Sequence, residues 1–164
     1  MPLDLLPYSE FGRIRLSSFV PLGTEIVEQS NFEWMQGLWV HEGIGFTWFG
    51  RLMEQPEETA GLEVLFEELD GASIDRILKF MHLPINPGMH FEQLRDFFGW
   101  PSTTNVFASD RKTYNFRVGH GDQYQVGCTV HVEQGLIYIS VLRSDVRRRL
   151  ALTAEEERIA FDHK

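Results

Sequence analysis

Cysteine and long apolar runs are scarce in this chain of 164 residues. The single cysteine, Cys128, cannot form an internal disulfide, which argues against a disulfide-stapled secreted scaffold. No apolar run approaches the roughly 20 residues of a transmembrane helix. The first residues also lack the basic and apolar parts of a secretory signal. We therefore expect a cytoplasmic protein.

Basic residues are also scarce relative to acidic ones. The 15 Lys and Arg residues are outnumbered by 24 Asp and Glu residues, so the net charge is −9. This charge opposes the phosphate neutralisation on which nucleic-acid binding depends, and it also opposes attraction to anionic lipids. We expect no nucleic-acid or membrane partner, whereas a basic protein partner is favoured.

Motifs of catalysis and metal binding are missing from the sequence. The six histidines are scattered and lie in neither HExxH nor zinc-site spacing. There is no GxSxG motif, phosphate loop or dinucleotide fingerprint. His120 and Asp122 lie in a Gly-rich turn, where they are more typical of turn formers than of a catalytic dyad. We therefore expect no cofactor and no metal, and an enzyme is the least favoured class of function.

The composition, 43% apolar and 13% aromatic, is that of a globular protein, and no linker divides residues 1–164, so we expect a single domain. Its part 11–68 is predicted to be β-rich. Apolar and polar residues alternate in 13–20 and 44–49, which predicts strands. Less regular strand candidates are 24–29, 32–40 and 62–67.

Two consecutive helices are predicted at about 73–82 and 89–98, because apolar residues recur there every three or four positions. Ser73 can cap the first helix and Pro84 ends that segment. Residues 124–132 alternate strictly and predict a half-buried strand at the centre of a β-meander over about 104–143. Thr153 and Glu156 resemble a capping box for a short C-terminal helix or tail within 144–164. The predicted fold class is α+β, with antiparallel sheet and two helices packed on the C-terminal meander.

Residues 87–101, PGMHFEQLRDFFGWP, together with the meander that follows them, resemble a known helix-plus-sheet module. The module is shared by beta-lactamase-inhibitor-like proteins and small outer-membrane assembly lipoproteins, and the resemblance covers residues 87–143. It implies a non-catalytic protein-binding surface on the uncovered side of the sheet. The matching outward positions here are Gln123, Gln125, Thr129 and His131. Those families are exported, whereas this sequence shows neither a signal nor a lipid-anchor cysteine, so their cellular role does not carry over.

Aromatic residues concentrate in one short span beside several glycines. The span is either packed strand core or an aromatic pocket for a small ligand. The candidate ligand-binding residues are Trp34, Trp39, Phe46 and Trp48.

Residues 54–70 contain seven acidic residues and no Lys or Arg. Such a segment is either a solvated surface or one that steers a basic partner, and its candidate partner-binding residues are Glu63, Glu67 and Glu68. The arginines of 143–149 could meet an acidic patch in the same chain or in a second copy, which leaves a homo-oligomer open. The leading hypothesis is a non-enzymatic protein-binding domain, such as an inhibitor or toxin-immunity protein, and the alternative is a small-ligand-binding domain.

Overall fold

The structure is a computed structural model, and it describes residues 7–20, 22–32, 35–39, 48–119 and 122–162. Its strands are β1 Val27–Phe32, β2 Met35–Trp39, β3 Trp48–Leu52, β4 Gln55–Leu65, β5 Thr103–Ala108, β6 Arg111–Val118, β7 Tyr124–His131 and β8 Gly135–Arg143. Its helices are α1 Tyr8–Phe11, α2 Gly71–Phe80, α3 Phe91–Phe98 and α4 Ser144–Asp162, with a 3-10 turn at Leu16–Ser18. The predicted α+β class is confirmed.

The strands form one antiparallel sheet in the order β1-β2-β3-β4-β8-β7-β6-β5. Two four-stranded meanders therefore lie side by side, and the pairing of β4 with β8 joins them. Helices α2 and α3 occupy the connection between the meanders. The predicted C-terminal meander is confirmed as β5–β8.

The main core covers one face of the sheet. Leu62, Phe116 and Val126 come from strands, and they are buried with Ile77 of α2 and Leu94 of α3. Apolar residues recur every three or four positions along both helices, so each helix buries one side in the core and exposes its other side to solvent. Helices α2 and α3 thus pack on the C-terminal meander, as predicted.

A smaller core lies on the opposite face and fixes α4. Val146 is buried there with Met35, Leu52 and Ala60, and Leu142 packs against them. Because Val141 belongs to the main core and successive strand residues point to opposite faces, Leu142 marks the other side of the sheet. The first two turns of α4 therefore pack on that side against side chains of β2, β3 and β4.

The strand predicted over 13–20 is wrong, because this segment passes beneath the sheet without pairing. Ile14 and Leu16 are buried, which explains the alternation. The segment is tied to β4 through Thr59, whose N–H donates to Gly12 O at 2.9 Å and whose hydroxyl donates to Ile14 O. Residues 44–47 of the other alternating segment lie outside the described residues.

Helix starts differ from the sequence prediction in two places. The cap of α2 is Asp70 and not Ser73, because the Asp70 carboxylate accepts the N–H of Ser73 at 2.6 Å. Helix α4 is not short and does not start near Thr153, since it begins directly after β8 and runs for 19 residues. Val146 and Leu150, four residues apart, give it an apolar contact with the smaller core.

A close backbone contact joins the loop before α3 to the β7–β8 turn. Gly88 N–H donates to Leu136 O at 3.0 Å, and Leu136 N–H donates to Met89 O at 2.7 Å. Gly135 has a φ of 73°, and a Cβ added to it would lie 2.1 Å from Gly88 O. Only glycine therefore allows this approach.

Candidate functional site

The side of the sheet opposite the main core has a polar area over β5–β8 and the end of β4, which we call the open face. Its side chains follow from the strand registers, because residues paired across neighbouring strands share a face. Its members are Glu63, Thr103, Asn105, Arg111, Thr113, Asn115, Arg117, Gln125, Gly127, Thr129, His131, Tyr138 and Ser140. Its charged members are Glu63, Arg111 and Arg117, in a chain of net charge −9.

The centre of the open face is a row that crosses five strands in register. Thr103 pairs with Asn115, Asn115 with Gly127, Gly127 with Ser140, and Ser140 with Glu63. Asn115 Nδ2 donates to Thr103 Oγ1 at 3.0 Å. A Cβ on Gly127 would lie 2.6 Å from Ser140 Oγ and 3.2 Å from Asn115 Oδ1, so these two side chains fill the space above the glycine. The side chains of this row are consequently short and polar, and the surface that they form is flat.

Glu63 is the one acidic group of the open face, and it is half-buried. Burial raises the pKa of its carboxyl above the ordinary value, although a hydrogen bond from Tyr138 opposes this shift. Burial and the neighbouring Glu63 likewise raise the pKa of the Tyr138 phenol. The phenol therefore stays protonated and donates to the carboxyl. Glu63 thus belongs to the sheet surface, whereas Glu67 is exposed beyond the end of β4.

A cleft of about 420 Å³ lies at the end of the sheet, and we call it the end cleft. It is lined by Leu65, Phe66, Glu67, Pro87, Gly88, Arg111, His131, Gln134, Leu136 and Ile137. Two of the predicted partner-binding residues, Glu67 and His131, meet there although they are far apart in the sequence. The loop that carries Gly88 forms one wall, so the contact between Gly88 and Gly135 shapes this cleft.

Both ring nitrogens of His131 are occupied. Nδ1 accepts the backbone N–H groups of Glu133 and Gln134 at 3.1 and 3.2 Å. Nε2 lies 3.2 Å from Asp110 Oδ2, so Nε2 carries the proton. Arg111 also hydrogen-bonds Asp110 and lowers the pKa of that carboxyl to about 2. These contacts hold the β7–β8 turn and tie it to Asp110.

The other outward positions of β7 lie where alternation predicts. Gln125 pairs with Arg117 and Leu142, while Thr129 hydrogen-bonds Thr113 with 2.8 Å between the hydroxyl oxygens. Gln123 precedes β7 and acts through its backbone, because its carbonyl accepts Tyr8 Oη at 2.6 Å and Ser144 N at 2.8 Å.

The aromatic candidates are only partly covered by the structure. Trp34 and Phe46 lie outside the described residues. Trp39 is half-buried against the smaller core, and Trp48 is its register partner in β3. Trp48 is also the register partner of Glu63 in β4.

The acidic and basic segments meet within one chain. Arg149 Nη1 lies 2.6 Å from Glu54 Oε1, and Arg143 forms a bidentate pair with Asp145. Arg143 is buried and its guanidinium lies 4.3 Å from the centroid of the Tyr8 ring. Of the two readings of the arginine cluster, these contacts support the one within the same chain. Glu68 is half-buried at the turn after β4.

The one cysteine thiol of the chain lies outside the open face. Cys128 is buried in the main core, and burial raises the pKa of its thiol, so the nucleophilic thiolate is suppressed. Among the described residues, no three His, Cys, Asp or Glu side chains are grouped to hold a metal ion. Within the same residues, no helix is both long enough and apolar enough to cross a membrane.

Sequence reasoning missed most of the open face. Asn115, Tyr138 and Ser140 were not selected, although the apolar alternation of β6 and β8 marks them as outward positions. The signal was present, because every residue between two buried neighbours on a strand points to the other side.

Comparisons with protein-family models, curated proteins and solved structures found no match to this chain. The resemblance of residues 87–143 to the inhibitor and lipoprotein module therefore stays a prediction. Function is inferred from the open face and the end cleft themselves.

Proposed function

We propose that this chain is a non-enzymatic protein-binding domain whose partner docks on the open face. The observation that carries the proposal is the chemistry of that face. A solvated sheet surface usually presents many long charged side chains, whereas β5–β8 present mostly threonine, asparagine, glutamine, serine and glycine here, beside Arg111, Arg117 and Tyr138. Protein interfaces are likewise depleted of Lys and Glu at their centres.

Short polar side chains suit a binding surface for two reasons. They offer both donors and acceptors, and they lose little rotamer entropy when a partner covers them. The hydrogen bonds Thr113–Thr129 and Asn115–Thr103 already hold several of them in place. Preorganisation of this kind lowers the cost of association.

The proposed partner is a protein that carries basic side chains at the rim of its contact surface. The chain has a net charge of −9, and exposed Glu67 lies near the end of the open face. Opposite charges accelerate encounter and are screened by salt, so the association rate should fall as ionic strength rises. An inhibitor or toxin-immunity protein is a class that acts in this way by binding alone.

Site-specific photocrosslinking in the native host tests the proposal. A photoreactive phenylalanine analogue is placed at Gln125 and, separately, at Thr129, both on the open face. The control carries it at Lys79, which is exposed on α2 on the opposite side of the sheet. We expect the same protein adduct from both open-face positions and none from Lys79.

The captured protein must then bind the purified chain. Thr129→Arg should weaken that binding by about tenfold or more, because a long charge would enter the centre of the interface, while Lys79→Ala should leave it unchanged. Equal adducts at the control position, or a captured protein whose affinity Thr129→Arg does not change, would show that the open face is not the docking surface.

A further inference from the structure

The β5 edge of the described sheet carries a set of exposed apolar side chains. Trp100 is 74% exposed, Val106 63%, Phe107 80% and Val132 64%. All six residues of β5 are exposed, none is charged, and β5 is the last strand of the described sheet. Natural edge strands are generally protected by charges, prolines or bulges. β5 has a bulge but no charge, and the exposed apolar side chains beside it point to a partner that covers them.

A bulge in β5 turns the apolar residues outward. Asn105 pairs with Thr113 and Ala108 with Arg111, so Val106 and Phe107 together stand opposite Lys112. A bulge of this kind bends the strand and changes the direction of its side chains. Phe107 lies in this bulge and is 80% exposed, so its ring projects into solvent.

Beside this projection lies a groove of about 210 Å³, which we call the edge groove. It is lined by His90, Phe91, Glu92, Val106, Ala108, Ser109, Arg111, Lys112, Tyr114, Val130, His131 and Val132. Phe91 stacks on Tyr114 at a centroid distance of 4.5 Å, and Trp100 lies 6.2 Å from Phe91. The groove is therefore partly aromatic, and its volume suits one aromatic ring.

We propose that two copies of this chain pair through their β5 edges in a two-fold symmetric dimer, with Phe107 of each copy in the edge groove of the other. A projecting ring and a matching groove on the same edge are self-complementary, which is what a two-fold interface requires. This inference does not rest on the proposed function, because the observations behind it are the exposed Val106 and Phe107 and the edge groove.

Charge also favours a second copy at this edge. Residues 91–119 contain four basic and three acidic residues, a net charge of +1 in a chain of −9. Two acidic chains repel one another through most of their surfaces, whereas this region adds no net negative charge to that repulsion. Arg95 and Glu92 on α3 supply opposite charges near the groove.

The exposed apolar area at the β5 edge limits the affinity of the dimer. Trp and Phe rings each bury about 150–250 Å² in contacts, so the exposed parts of Trp100 and Phe107 contribute roughly 300 Å² per copy. Stable interfaces bury about 800 Å² per partner, and backbone pairing of β5 must supply the rest. We therefore expect a concentration-dependent dimer with a dissociation constant in the micromolar range.

Sedimentation velocity over about 1–300 µM, the range suited to a small interface, tests the dimer. We expect a monomer–dimer equilibrium in the unmodified chain. Phe107→Asp should raise the dissociation constant by about tenfold or more, as loss of a buried interface anchor does. The matched control is Leu152→Asp on α4, where the leucine is 64% exposed, and it should leave the equilibrium unchanged.

Crosslinking locates the interface separately. Cys128 is buried, so an Asn105→Cys variant has one accessible thiol, which should give a disulfide-linked dimer on mild oxidation, while Leu152→Cys should not. A chain that remains monomeric throughout overturns the proposal. So does a dimer whose dissociation constant Phe107→Asp leaves unchanged, and association beyond the dimer overturns the two-fold arrangement.

Discussion

Replacing Gly135 with alanine probes the contact between the β7–β8 turn and the loop before α3. Its φ of 73° costs an L-residue about 1–2 kcal/mol. The new Cβ would also lie 2.1 Å from Gly88 O and 2.5 Å from Gly88 C. These are backbone atoms that cannot rotate away, so the turn and the loop must separate.

Separation breaks two backbone hydrogen bonds, Gly88 N–H to Leu136 O and Leu136 N–H to Met89 O. Each contributes about 0.5–1.5 kcal/mol, so with the backbone strain we expect Gly135→Ala to lower the free energy of unfolding by about 2–5 kcal/mol. Urea unfolding followed by circular dichroism measures this value.

The control is Gly23→Ala, because Gly23 has a φ of 90° with nothing within 4 Å of an added Cβ. It should lower the free energy of unfolding by the strain alone, about 1–2 kcal/mol. If the two substitutions lower it equally, the close contact at Gly88 contributes nothing and the reasoning is wrong.

Two further substitutions and one chemical reaction test the packing of the sheet. Burial raises the pKa of Glu63 above 4.5, so the stability that its protonated form provides is present in acid and is lost as the pH rises through the folded-state pKa. Glu63→Gln should therefore be more stable than the unmodified chain above neutral pH, and a difference that stays constant with pH would contradict this cause. Gly127→Ala should lower the free energy of unfolding by about 1 kcal/mol, and by less in a Ser140→Ala background, because Ser140 Oγ is the nearest obstacle at 2.6 Å; equal effects in both backgrounds would rule out that clash. The Cys128 thiol should react with a thiol reagent only as fast as the chain unfolds, and rapid reaction of the folded chain would show that it is accessible.

The spacing of apolar residues in the sequence correctly predicted the strands and helices that bury one face and expose the other. The alternation of 124–132 identified β7, and the three-to-four spacing of apolar residues identified α2 and α3. The same alternation in 13–20 was misleading, since Ile14 and Leu16 are buried without a neighbouring strand. Alternation reports burial, whereas a strand also needs a hydrogen-bonded partner, and that partner is decided by the rest of the fold.

Part of the candidate site could be predicted from the sequence. Gln125 and Thr129 follow from alternation along one strand. The environment of Glu63 does not, because it depends on Tyr138 in β8, which only the register of β4 against β8 brings alongside. The meeting of Glu67 with His131 in the end cleft is similarly a product of long-range pairing.

The pairing of β4 with β8 also governs the order in which the chain can fold. Leu62 pairs with Val141, so the N-terminal meander gains its neighbour only when the last strand of the sheet has left the ribosome. Until then β4 and β7 each present an unpaired edge, although both carry buried apolar residues in the finished sheet. Long-range closure of this kind is slow compared with helix or hairpin formation. A chain cut before β8 should consequently aggregate as two unfinished meanders, because the strand that would join them is missing.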